Sequence, residues 1–352
     1  MVSIALTAIL LSLVHPIVVA ISTPTDAVSG TVTYLTICFI GIPFITSYNI
    51  ISSIFRGLGD SKSPMCFIAT ACAANIALDY LFMGVLHLGP AGAALGTTLS
   101  QAISVVVSLT VILKRRSIVL KKSDFKPCRA VMGKILGISI PIAFQDGLIQ
   151  VAFIIITIIA NQRGLNDAAA VGIVEKVISF LFLVPSSMLS TVSALGAQNI
   201  GAGKPERAIQ TLRYAVMLAA GFGVLASIAI QFTAEGIVSL FTDPSTADGA
   251  AVVRFGGQYL RGYIFDCIFA GIHFSFSGFF CACRKSGLSF LHNILAIVLM
   301  RVPGVYVTSK LFPATLLPMG LATAAGSLLS VVICLIAFGV IRRKSTLVLV
   351  EE

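Results

Sequence analysis

Four acidic residues stand inside long apolar stretches of the sequence, where a charged side chain is costly. They are Asp79, Asp146, Glu175 and Asp266. A carboxylate at the centre of a lipid bilayer costs about 2.5–3.5 kcal/mol on insertion scales, so it needs a partner, a bound ion or a water-filled cavity. Alternatively, each carboxylate could have a structural role and form a hydrogen bond that holds two helices together. The four carboxylates are therefore candidate sites for a proton or a cation.

Asp79 has the most complete set of neighbours in the sequence. Asn75 lies four residues earlier and so shares its helix face. Thr97 stands on the next apolar segment and Tyr34 on the second segment. A carboxylate, an amide oxygen and hydroxyls suit Na⁺ or form a protonatable cluster. The sequence predicts a cation or proton site here and no other metal site, although Tyr34 also fits an aromatic at the membrane interface.

The elements that carry these residues are long apolar helices. Of the 352 residues, 57% are hydrophobic and 11% are charged, which excludes a soluble enzyme or a nucleic-acid-binding domain. Each apolar segment is long enough to cross a bilayer core of about 30 Å as a helix. We predict an all-α integral membrane protein with about ten transmembrane helices. The segments are roughly 2–21, 30–54, 64–87, 90–113, 131–159, 168–195, 211–233, 256–283, 286–310 and 318–341.

The basic residues predict the orientation in the membrane. Eighteen of the 24 lysines and arginines fall on one set of alternating connections, and three fall on the other set. By the positive-inside rule, the basic face and both chain ends are cytoplasmic, and no nucleic acid is needed to explain the basic surplus. We expect a multi-pass protein of the plasma membrane.

The chain contains an internal repeat. Residues 90–117 align with 318–345 without gaps, so that Pro90 meets Pro318 and both copies end in a basic run. Both copies cross the membrane in the same sense, as in transporters built from parallel repeats, whose substrate site lies between the halves. The predicted division is an N-lobe at 1–117, a cytoplasmic linker at 118–132, a C-lobe at 133–345 and a cytoplasmic tail at 346–352.

The two predicted lobes are unequal. The N-lobe has four apolar segments and the C-lobe six, and the pair at 131–159 and 168–195 has no counterpart in the N-lobe. We therefore expect an N-lobe that lacks two helices at its N-terminal end.

Three motifs resemble those of MATE (multidrug and toxic compound extrusion) transporters: FRGLGDSKSP at 55–64, NIALDYLF at 75–82 and AQNIGAGKPERA at 197–208. The resemblance covers essentially the whole chain and implies twelve helices in two pseudo-symmetric lobes. It also implies an N-lobe cation site at Asn75, Asp79, Thr97 and Tyr34, without the family's first-helix aspartate. The C-lobe acids Asp146, Glu175 and Asp266 form a secondary set by the same resemblance.

The function expected from this resemblance is antiport. No ATP-binding motif is present, so H⁺ or Na⁺ would drive export of drugs or other xenobiotic, often cationic, organic compounds by rocking-bundle alternating access. We expect a monomer in the lipid bilayer with no cofactor. Two alternatives are a lipid-linked oligosaccharide flippase and a membrane-embedded enzyme. A flippase should have more basic residues in its apolar segments, whereas here those segments hold four acids and the three bases Lys176, Arg261 and Arg301. A membrane-embedded enzyme should have clustered catalytic motifs at membrane depth, and none is visible in the sequence.

Other polar and aromatic residues of the C-lobe could have either a functional or a structural role. His273 and His292 could relay protons or simply hydrogen-bond a neighbouring helix. The phenylalanines at 274, 276, 279 and 280 could contact a cation or pack in the core. The eight cysteines show no CxxC pair and are interpreted as small packing residues.

Overall fold

The computed structural model describes residues 2–20, 27–115 and 128–343, and all the regular structure in those ranges is helical. Most of the predicted linker and all of the predicted tail lie outside the described residues. The helices are α1 Val2–Ser12, α2 Val14–Ala20, α3 Val28–Gly57, α4 Lys62–Asp79, α5 Gly89–Arg115, α6 Arg129–Asn161, α7 Leu165–Leu181, α8 Leu183–Gly201, α9 Pro205–Val238, α10 Ala247–Tyr263, α11 Phe265–Ala282, α12 Ser286–Ala296, α13 Val302–Leu311 and α14 Leu317–Arg343. Two π-helical segments, Tyr80–Val85 and Ile297–Arg301, extend α4 and α12.

Nine spans in the described part of the chain are long and apolar enough to cross a membrane. The first predicted segment differs, because it forms the two short helices α1 and α2 with a turn at Leu13. Pro16 explains the break, since its ring conflicts with the carbonyl of Ser12, the last residue of α1. The other predicted segments each correspond to one span.

The chain divides into two compact units, Met1–Lys126 and Pro127–Glu352. In the first unit, α3 and α4 both pack on α5. The Phe55 and Phe67 rings meet edge to face there, with centroids 5.5 Å apart. In the second unit, α11 lies at the centre and packs against α8, α9 and α14.

The two units differ in how much of their apolar surface is buried. The most apolar stretches of Val28–Gly57 and Lys62–Val85 are only 6% and 11% buried, whereas that of Ala247–Ala282 is 72% buried. Exposed apolar side chains on helices of this length suit contact with lipid tails. The α10–α11 span is therefore the structural core of the second unit.

A single arginine joins two turns at one end of the second unit. The Arg163 guanidinium donates to the carbonyls of Ser309 (2.6 Å), Phe312 (3.2 Å) and Pro313 (2.9 Å). It also pairs with Asp167 at 2.6 Å, and both side chains are about nine-tenths buried. The α6–α7 turn is thereby attached to the loop between α13 and α14.

Arg163→Gln should strongly destabilise the second unit. Breaking a buried ion pair by removing one partner costs about 3–5 kcal/mol, because the remaining charge is unpaired. We expect a lowered midpoint of thermal unfolding in detergent. The double variant Arg163→Gln/Asp167→Asn should recover part of that loss, and the exposed Arg254→Gln should cause none. An unchanged midpoint in the single variant would contradict this role of Arg163.

Candidate functional site

Asp79 stands at the last turn of α4 and its carboxylate lies directly against α5. A β-carbon built on Gly96 would overlap Asp79 Oδ1 and would lie 3.1 Å from Asp79 Cγ. Only glycine at position 96 therefore leaves room for the carboxylate in this position. The π-helical segment Tyr80–Val85 follows Asp79 at once, and single-turn π segments are frequent at functional sites.

Two polar atoms of α4 are buried without a protein partner. Among the described residues, neither Asp79 Oδ1 nor Asn75 Nδ2 has a hydrogen-bonding partner. Buried polar groups in native proteins are nearly always satisfied, and an exception points to a bound proton, ion or water. Asp79 therefore offers one free acceptor oxygen and Asn75 one free N–H donor at this face of α4.

The other two predicted members of this site are placed differently. Tyr34, on α3, is near enough to Asp79 for an electrostatic interaction between the two side chains, and is 38% exposed. Thr97 is exposed on α5, whereas Gly96 and Thr98 on either side of it are buried. Thr98 is the buried hydroxyl, and it donates to the Ile37 carbonyl at 3.3 Å. Tyr34 is therefore close to the Asp79 carboxylate, whereas the Thr97 side chain lies on the exposed face of α5.

The second unit contains a buried ion pair between Asp266 of α11 and Arg301. Arg301 Nη2 donates to Asp266 Oδ2 at 2.5 Å, and the carboxylate is completely buried. Asp266 is therefore neutralised by its own chain. Of the three bases in the apolar segments, Arg301 is the one that is deeply buried, and its charge is already balanced by Asp266. The pair leaves three acids and two bases in those segments outside it.

Two tyrosines surround this ion pair. Tyr259 and Tyr263 are completely buried on α10, with ring centroids 5.5 Å apart. Both lie within electrostatic reach of Asp266, Arg301 and Glu175, so Glu175 belongs to the same polar region. Glu175 also accepts a hydrogen bond from Thr157 at 3.3 Å.

Asp146, the third member of the secondary set, lies apart from that region. It is exposed on α6 and lines a groove of about 360 Å³ with Gln150, Ser186, Ser190 and Phe274. A carboxylate, an aromatic ring and several hydroxyls are the groups that contact an organic cation. The three acids predicted as one set thus occupy two different environments.

The remaining polar and aromatic residues of α11 and α12 are mainly structural. The His292 ring bonds Ser277 at 2.8 Å and Ser330 at 3.2 Å, which joins α11, α12 and α14. Phe276 and Phe279 pack edge to face on Phe338 in a buried cluster. Phe274 alone of the four phenylalanines faces the groove.

The sequence analysis missed Arg301 and Gly96 as determinants of these sites. Arg301 could have been recognised as a partner, because a base deep in an apolar segment is normally paired with an acid. No sequence signal identifies Gly96, since glycines are common in membrane helices for many reasons. Their roles follow from the packing of α5 on α4 and of α12 on α11.

The fold and these sites define a multi-span helical membrane protein with four acidic residues in its apolar segments, of which Asp266 is completely buried. The chain belongs to the MatE family, whose model matches residues 1–81 and 141–307. The motifs and the resemblance described above are thereby confirmed.

Curated relatives agree with this assignment. The chain is 29% identical to the probable multidrug resistance protein YpnP of Bacillus subtilis (strain 168) over 306 residues, covering 87% of this chain and 66% of YpnP. It is 27% identical to a FAD transporter of Shewanella oneidensis, covering 77% and 60%. It is 25% identical to the multidrug export protein MepA of Staphylococcus haemolyticus, covering 82% and 63%. The chain thus spans less than two thirds of the length of these relatives.

Solved structures share the fold. An outward-facing multidrug resistance MATE transporter of the MOP superfamily superposes with a TM-score of 0.89 at 19% identity, covering 98% of this chain and 76% of that one. A MOP superfamily transporter from Pyrococcus furiosus Vc1, described as having a binding pocket of reverse polarity, gives 0.90 at 19% identity, with the same coverage.

Proposed function

We propose that this protein is an H⁺- or Na⁺-coupled antiporter that exports drugs or other xenobiotic, often cationic, organic compounds across the plasma membrane by rocking-bundle alternating access. One observation carries the proposal. The carboxylate of Asp79 is seated on Gly96 inside an apolar span, and its Oδ1 has no partner among the described residues. A carboxylate so placed is stabilised by a proton or a cation, and reversible binding of either can bias a conformational equilibrium.

The groove at Asp146 supports an organic cation as the cargo. Its walls supply one carboxylate, the Phe274 ring and two serine hydroxyls. The names of two relatives, a probable multidrug resistance protein and a multidrug export protein, agree with cargo of this kind. A flippase is less well supported, because the buried base Arg301 is already paired with Asp266. We propose a monomer that needs no cofactor beyond its coupling ion.

Efflux from cells tests this function. Cells that express the complete gene are loaded with ethidium, and each ion gradient is then removed separately. A protonophore removes the proton gradient, and replacement of Na⁺ by choline removes the sodium gradient. Loss of efflux with one treatment identifies the coupling ion. Efflux that persists when both gradients are absent would contradict the proposal.

Gly96→Ala should weaken coupled export by about tenfold or more. Overpacking by one methyl group costs typically 1–3 kcal/mol, and here the displaced atoms are those of the Asp79 carboxylate. Gly84→Ala is the matched control in the same unit, because its new methyl group would meet only the Tyr80 ring, at 3.9 Å. Equal export by the two variants would show that the position of Asp79 does not matter.

The orientation proposed from the basic residues has its own test. Cys128 is exposed at the start of α6, next to the basic stretch, and should lie on the cytoplasmic side. With the other cysteines replaced, an impermeant maleimide should not label it in intact cells but should label it after lysis. Ser245→Cys, in the exposed loop between α9 and α10, should be labelled in intact cells. The reverse pattern would overturn the topology.

A further inference from the structure

A second groove of the second unit lies on its outer surface, between α7 and the C-terminal end of α9. Its volume is about 480 Å³. Seven of its eight lining residues are apolar, among them Phe180, Ile237 and Leu240, and the eighth is Lys176. Phe180 and Leu240 are 75% and 80% exposed, so the groove opens away from the helix bundle. Within a bilayer, an apolar groove in this position faces lipid tails.

Lys176 differs from the other two bases of the apolar segments. Arg301 and Arg261 are each paired with a carboxylate, at 2.5 Å and 3.0 Å. Lys176 is exposed and forms no ion pair among the described residues. Its sequence neighbour Glu175 instead accepts a hydrogen bond from Thr157 on α6. A charge within a span needs compensation, so the Lys176 ammonium group is open to an anion from outside the chain.

The position of Lys176 along its span brings the ammonium group to the membrane surface. The span Leu165–Gly201, formed by α7 and α8, has 37 residues, so as a helix it is about 25 Å longer than a hydrocarbon core of about 30 Å. Lys176 lies about 16 Å from the N-terminal end of this span. With the excess length shared by the two ends, its backbone is a few ångströms inside the edge of the core. Side chains on a helix point toward the N-terminus, and a lysine extends its charge to the surface, here to the depth of the phospholipid headgroups.

The charges of the groove suit an anionic lipid. Among the described residues that line it there is no aspartate or glutamate, so no wall residue opposes an anion beside Lys176. The phosphate of a phospholipid is the anion that a membrane supplies at this depth, and basic residues near the surface attract anionic lipids. Val177 continues from Lys176 into the apolar wall. One groove thus presents a cation followed by a hydrocarbon surface, which matches the head and the tail of a phospholipid.

We propose that this groove binds an anionic phospholipid, with its phosphate at the Lys176 ammonium group and one acyl chain between α7 and α9. A zwitterionic phospholipid carries an ammonium group of its own, so it gains less from the lysine. Preference for an anionic headgroup therefore distinguishes this site from ordinary lipid contact. Among the described residues, the groove shares no lining residue with the groove at Asp146, so the proposal adds a lipid site to the protein and not a second cargo site.

The test compares dioleoylphosphatidylglycerol, which is anionic, with dioleoylphosphatidylcholine, which has the same acyl chains and no net charge. Each lipid is titrated into the full chain in detergent, and native mass spectrometry measures the affinity of the first bound lipid. The anionic lipid should bind about fivefold more tightly, the effect expected of one lysine at a lipid headgroup. Lys176→Gln should remove this preference, and Lys176→Arg should keep it. Lys310→Gln, at an exposed lysine of α13, is the matched control and should leave the preference unchanged.

Equal binding of the two lipids to the wild-type protein would overturn the proposal, as would a preference that survives in Lys176→Gln. An equal loss in Lys310→Gln would overturn it too, because the attraction would then belong to the basic surface in general. Glycerophosphoglycerol, the same headgroup without acyl chains, tests the apolar wall. At equal concentration it should not displace the bound lipid, and displacement would show that no acyl chain is held. Because no transport is measured, failure here leaves the proposed export function standing.

Discussion

Asp79→Asn is expected to abolish ion-coupled export. The substitution removes the charge and the titratable proton at nearly the same volume, so the packing against Gly96 is retained. Without the carboxylate, neither H⁺ nor Na⁺ has a differential affinity for the two conformations, and the gradient can no longer bias the transport cycle. Ethidium efflux from cells that express the variant should fall to the level of cells without the transporter.

Two controls separate this result from misfolding. The amount of variant in the membrane fraction should match that of the wild type. Asp243→Asn, in the exposed loop before α10, removes an acid outside the spans and should export normally. Efflux by Asp79→Asn at the wild-type rate would reduce Asp79 to a structural clamp between α4 and α5.

The second large effect is expected on stability, at the Asp266–Arg301 pair. Arg301→Gln leaves a completely buried carboxylate without its cationic partner, which should cost about 3–5 kcal/mol. Thermal unfolding of the detergent-purified protein should therefore begin at a clearly lower temperature. Tyr259 and Tyr263 cannot replace the lost charge, because a neutral hydroxyl offers only a hydrogen bond.

Removing both charges should cost much less than removing one. In Asp266→Asn/Arg301→Gln, two neutral amides replace the ion pair and can bond to each other. Buried ion pairs replaced by neutral groups of similar volume often leave stability nearly unchanged. If the double variant were as unstable as Arg301→Gln alone, the pair would owe its effect to side-chain packing rather than to charge.

The sequence was sufficient for the helical spans and for placing two candidate site residues on one helix face. Apolar length alone determines where a helix can cross a bilayer, so most predicted segments match a span. The spacing of Asn75 and Asp79 places them on one helix face in any α-helix, and the structure adds that each has a buried polar atom without a partner among the described residues.

Helix rotation and long-range pairing could not be predicted in the same way. Neighbouring residues on a helix point about 100° apart. Assigning Thr97 to the site therefore required the rotation of α5, which packing on α3 and α4 decides. Asp266 and Arg301 are 35 residues apart on different helices, and only the packing of α12 on α11 brings them together.

The break between α1 and α2 has a local cause that apolar length conceals. Residues 2–21 read as one continuous segment by hydrophobicity. Pro16 lacks a backbone N–H and conflicts with the preceding turn, so the structure has two short helices there.

Transport by the purified protein tests the central proposal most directly. Protein expressed from its complete gene is reconstituted into liposomes that contain DNA, and ethidium entry is followed by fluorescence. A proton gradient or a sodium gradient is imposed across the membrane, each in a separate experiment. We predict ethidium accumulation driven by one of the two gradients and none in Asp79→Asn liposomes. Ethidium entry at the same rate with and without a gradient, or in wild-type and Asp79→Asn liposomes alike, would contradict ion-coupled antiport through Asp79.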